Sequence, residues 1–194
     1  MPRKLHPAEN RGYRELYAFA RAMCDHWGWL ADRTAPGSPT TAALERGAAA
    51  ARELIAELEP VTARHGLHGR PAAQSAGRGI ASARAGARDF FLERGQALRF
   101  AVEDAQHVTT LLAYLAAVAD SRGDSELAEF CRRWERKLKR HESAARKAAV
   151  EQGADPDAAI EPLHSGPAGR AAHSVGHAIG TLGEWVDGRV ARRR

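Results

Sequence analysis

Cysteine is scarce in these 194 residues, and neither Cys24 nor Cys131 sits in a Cys-x-x-Cys step or a Cys/His cluster. The pair therefore builds no disulfide framework, and both read as buried free thiols in a reducing cytoplasm. A disulfide joining the first and fourth helices is the alternative. Strand formers are also sparse, and no stretch alternates apolar and polar residues long enough to make a strand. No apolar run approaches the ~20 residues that a membrane span needs. The opening Met1-Pro-Arg-Lys-Leu-His-Pro7 is basic but has no apolar core, so no signal peptide is expected and the chain is expected to be soluble and cytoplasmic. Catalytic signatures are missing as well. There is no Gly-x-Ser-x-Gly and no Walker-type loop, and Gly77-Arg-Gly79 lacks the strand and following Lys of a phosphate cradle.

What remains is abundant alanine and helical periodicity, which predict an all-α fold in one domain. Residues 1–12 carry two prolines and read as a loose arm. A bundle over 13–153 follows, as helix pairs 14–33/39–63 and 90–120/124–152 joined by a crossover over 64–89. In the first helix Leu16, Phe19, Ala20, Met23, Trp27 and Leu30 recur at steps of three and four. Ser38 and Pro39 supply a cap and a first-turn proline for the second helix, whose last turn Pro60 is expected to bend. From Arg64 to Arg88 there are five arginines, five glycines and no acid. Asp89 is a candidate cap for the third helix, Asp124 for the fourth, and Gly153 a left-handed stop. Residues 154–194 form a C-terminal extension with an amphipathic stretch and a basic tail.

The run Ala105-Gln-His-Val-Thr-Thr-Leu-Leu-Ala-Tyr-Leu-Ala-Ala-Val-Ala119, followed by Gly123-Asp-Ser-Glu-Leu-Ala128, resembles the last helix pair of the stress-associated, ferritin-like bundle proteins of bacteria. His107, Tyr114 and Gly123-Asp124 carry the likeness, which covers roughly residues 14–150. Trp29-Leu-Ala-Asp32, Leu44-Glu45 and residues 54–58 match in outline. The resemblance implies a ferritin-like up-down four-helix bundle with one long crossover, here with an extra C-terminal helix. A di-iron centre in such a bundle takes one Glu from each of two helices and a Glu-x-x-His step from each of the others. This chain contains no Glu-x-x-His. Thr109 and Thr110 stand where the third helix would offer a Glu, the second helix runs Gly47-Ala-Ala-Ala-Ala51, and Glu135 and His141 are six apart on different faces. Ferroxidase chemistry is accordingly not expected.

The nearest substitute is Asp104-Ala-Gln-His107, a carboxylate and imidazole at i, i+3. With His141 and either His26 or Asp25 it outlines a single site for Fe, Mn or Zn, against the alternative that these histidines are hydrogen-bonded or solvated. His173 and His177 form an i, i+4 pair without a third ligand. The formal net charge is +5. Arg132, Arg133, Arg136 and Arg140, with Arg192 and Arg193 in the tail, outline a face for the phosphates of a nucleic acid, against the alternative of a solvated helix laced by Glu129–Arg133 and Glu135–Lys139 pairs. Val175, Ile179, Leu182 and Trp185 share one face and are candidates to dock a second copy, giving a homodimer, or another protein. The composite expectation is a non-enzymatic structural or stress-associated bundle acting through assembly or partner binding. A rearranged mononuclear metal site and a sequence-independent nucleic-acid binder are its rivals.

Overall fold

A computed structural model describes residues 4–67 and 93–163. It is all-helical, in the order α1 (Pro7–Ala31), α2 (Pro39–Ala63), α3 (Arg94–Ser121), α4 (Ser125–Gln152) and a single turn, α5 (Pro156–Ala159). Among the described residues the one β-type contact is an isolated bridge between Glu93 and Pro162, and no helix is long and apolar enough to cross a membrane.

Local chemistry sets the boundaries. The chain is helical from residue 7, so much of the arm expected over 1–12 belongs to α1 instead. Pro7 occupies the first turn, where its missing N–H costs nothing. His6 Nδ1 accepts from the Ala8 amide at 3.2 Å, and Glu9 Oε2 accepts from the His6 amide at 2.7 Å, a reciprocal cap with histidine in the place usually held by Ser or Thr. Ser38 caps α2 through the Thr41 amide at 3.1 Å. Pro60 does not end that helix, which continues to Ala63. Asp89, the expected cap of α3, lies outside the described residues, and α3 opens behind Glu93 without a side-chain cap. Between α3 and α4, Gly123 takes φ +72°, a conformation that costs glycine no Cβ clash. Its amide and that of Asp124 close onto the carbonyls of Asp120 and Ala119, and Asp124 Oδ1 then caps α4 at the Leu127 amide. Gly153 departs from expectation: it is right-handed at φ −69°, and its amide bonds back to Val150 and Glu151 carbonyls.

Helices α1 and α2 form one hairpin and α3 and α4 the other, with α1 packed on α3 and α2 on α4. Cross-helix pairs give the directions. On α1–α3, Glu9 meets Arg122 while Trp27 meets Ala101. On α2–α4, Glu53 meets Lys137 while Arg64 meets Glu126. Both seams are therefore antiparallel, so α1 and α4 run one way and α2 and α3 the other. Helix α2 leaves at one end of the bundle and α3 enters at the opposite end. Turn α5 folds back on the start of α3, where the Arg94 amide donates to the Glu161 carbonyl at 3.0 Å and the two side chains pair.

Two fully buried tryptophans organise the core. Trp27 of α1 packs its six-membered ring against the backbone of α2 at Gly47, where a Cβ would stand 2.0 Å from the ring. Its indole N–H donates to the Ala101 carbonyl of α3 at 3.1 Å, so one side chain touches three helices. Trp134 of α4 donates to Glu57 Oε2 of α2 at 3.1 Å. Met23, Leu16, Leu44, Leu54, Leu112, Leu115 and Leu138 fill the space around them. Closely packed hydrocarbon of this kind supplies most of the stability of helices that are marginal alone.

Candidate functional site

The titratable side chains of interest lie on the α1–α3 seam. His26, on the half-buried edge of α1, places Nδ1 2.5 Å from Asp104 Oδ2 across the seam. The two side chains are 12% and 33% exposed. Its N–H thus points at the carboxylate, and the second nitrogen, Nε2, is buried with no hydrogen-bond partner among the described residues. In the neutral imidazole a donating Nδ1 leaves Nε2 as an acceptor, the arrangement that a metal-ligating histidine takes when a carboxylate fixes its other nitrogen. Further along, His107 of α3 reaches back to Glu15 of α1, Nε2 to Oε1 at 3.2 Å, and its ring lies 3.9 Å from that of Phe19. The seam is therefore bridged by two histidine–carboxylate contacts of opposite sense.

This geometry separates the residues that the sequence grouped. His26 and Asp104 meet, but His107, three residues on, turns to Glu15 instead. Asp25 is exposed and paired with Arg21 at 3.1 Å. His141 sits on the other seam, where Arg46 and Glu53 of α2 face it. Burial, and then the positive Lys137, Arg140 and Arg46, push its imidazole below the ordinary histidine range. A proton is disfavoured there, and the same repulsion acts on a metal cation. Among the described residues, no three His, Cys, Asp or Glu side chains gather where they could hold a metal ion. His26 and Asp104 together supply one free imidazole nitrogen and one carboxylate, short of the three or four protein ligands that a zinc site takes.

The basic helix is largely neutralised. Arg132 pairs with Asp120, Arg133 with Glu57, Arg136 with Glu129, Lys137 with Glu53, Lys139 with Glu135 and Lys147 with Glu151. The expected Glu135–Lys139 pair forms, but Glu129 takes Arg136, leaving Arg133 to bridge to α2 and lie over Phe130 and Trp134. The described residues carry nineteen Lys and Arg against twenty-one Asp and Glu, so the chain's positive excess lies wholly outside them. Arg192 and Arg193, like His173, His177, Val175, Ile179, Leu182 and Trp185, lie outside the described residues.

Three polar features escape the sequence. Glu9 is fully buried and stands 3.2 Å from Arg122 Nε, tying the first turn of α1 to the end of α3. A histidine at the cap position hides the usual signature of this arrangement. Tyr13 of α1 and Cys131 of α4 meet inside the core, hydroxyl to Sγ at 3.6 Å. Burial is the main force raising both groups, the phenol far above its ordinary value and the thiol to about 11. Cys24 and Cys131 are both buried and free. At the start of α1, Lys4, His6, Asn10, Arg11 and Arg122 border an open cleft of about 580 Å³. No family model matches this chain, and neither the curated proteins nor the solved structures contain a match to it.

Proposed function

We propose that this chain is a ferritin-like bundle without a di-iron centre, and that it works without catalysis, through assembly or the binding of a partner. The observation that carries the reading is the filling of the interior. Trp27, Trp134, Met23, Leu54, Leu112 and Leu138 fill the interior of the bundle, and it is in the interior that ferritin-like proteins gather their inward-facing carboxylates and histidines. The helix directions support the same architecture, because two hairpins with α2 and α3 running the same way need one connection along the bundle. Among the described residues, Glu9, Tyr13 and Cys131 are buried, and the histidine–carboxylate and Arg/Lys–Glu contacts that cross between helices lie on the seams instead. Two buried free thiols fit a reducing cytoplasm, and a homodimer is the simplest assembly. The stress-associated role rests on the resemblance of residues 105–128.

The test begins with untagged protein reconstituted anaerobically with Fe(II), Mn(II) or Zn(II), then desalted and assayed for metal. Retention far below one equivalent is expected. Light scattering behind a sizing column is expected to give twice the 21.0 kDa chain mass. A monomer at all concentrations sinks the homodimer and leaves a different partner.

One observation favours a second reading, a mononuclear metal site, and it is the bare Nε2 of His26 above Asp104. Near-stoichiometric metal, lost in both His26→Ala and Asp104→Asn, would establish it over the first. Nucleic-acid binding through α4 has less support, because the cations it would use already face carboxylates. A salt-dependent mobility shift abolished by removing residues 189–194, but not by Arg132→Ala or Arg136→Ala, would locate such binding in the tail.

A further inference from the structure

We draw no further inference here: the strongest candidate, the His26–Asp104 pair on the α1–α3 seam with its partnerless Nε2, belongs to the site already described, and among the described residues no third metal-ligating side chain joins it to say what it would bind.

Discussion

Replacing Gly47 with alanine sets two effects of opposite sign against each other. Helix propensity alone favours alanine by about 1 kcal/mol in a helix interior. Against that, a Cβ at this position stands 2.0 Å from Trp27 Cζ3 and 2.1 Å from Cε3, roughly 1.5 Å inside normal carbon–carbon contact. The ring has nowhere to retreat, being fully buried and tethered by its N–H to the Ala101 carbonyl. Overpacking of this kind costs about 1–3 kcal/mol and occasionally more, and pulling the indole off its acceptor adds about 1 kcal/mol. Steric cost therefore wins. Gly47→Ala is expected to lose about 1–3 kcal/mol net, which lowers Tm by roughly 2–12 °C in a chain of this size. Urea titration followed by far-ultraviolet circular dichroism measures it directly. In a Trp27→Leu background the same change is expected to stabilise by about 1 kcal/mol, because only propensity is left, and the difference between backgrounds is the coupling. A Gly47→Ala protein as stable as the parent, or more so, would refute the packing described for Trp27.

Glu9→Ala removes a buried acceptor from the His6 amide and a buried charge beside Arg122, and is expected to cost about 2–3 kcal/mol, tempered by the partial exposure of Arg122. Hydrogen exchange in the first two turns of α1 reads it, and unchanged protection there would count against the cap. The hydrogen bond from Arg133 holds the Glu57 carboxyl below the usual glutamate range, against partial desolvation and with help from the Trp134 indole. Because the folded value lies below the unfolded one, this contribution is present above the ordinary glutamate pKa. It is lost as the pH falls through the depressed one. The urea midpoints of wild type and Glu57→Gln should accordingly converge on acidification, and a constant gap would show that the ion pair is not the source. Cys24 and Cys131 are buried, and the Cys131 thiol is raised to about 11, so native protein at pH 8 is expected to resist a thiol reagent that labels both cysteines in urea. Rapid native labelling of Cys131 would contradict its placement against Tyr13.

The helices were legible because their apolar residues recur at helical spacing: Leu16, Met23, Trp27 and Leu30 all became core, as did Leu127, Cys131, Trp134 and Leu138. Turn chemistry was legible where a cap lies within three residues of its target, as at Ser38 and Asp124. Long-range pairing was legible only in part. The sequence grouped His26 with Asp104, 78 residues away, and the two meet, but it also grouped His107 and His141 with them, because periodicity places each on an edge without saying which edges meet. The Asp104–His107 spacing suggested one shared ligand, yet a helix seam offers several partners within one turn, and Glu15 claimed His107. The Gly47–Ala51 run reads in sequence only as absent ligands. In three dimensions the same glycine is the recess that admits an indole. Trp29 lies outside the α1 stripe, and it is half-buried against the core with Arg33 lying over the ring, an arrangement in which the indole keeps one polar face.

The two indoles also bear on how the chain reaches its fold. Each hairpin closes over a short turn, so its contacts can form quickly and locally. Joining the hairpins means pairing residues such as Trp27 and Ala101, 74 positions apart, and Tyr13 and Cys131, 118 apart, against the entropy of closing a long loop. The acceptor for Trp27 belongs to the second hairpin, and the acceptor for Trp134 belongs to the first. The halves are therefore hostages to one another: each holds what the other's tryptophan requires. Hairpins produced as two separate polypeptides are expected to recombine one to one, with both indoles leaving water in the same step, and a mixture of one half with a tryptophan-substituted partner would report which exchange seals the complex.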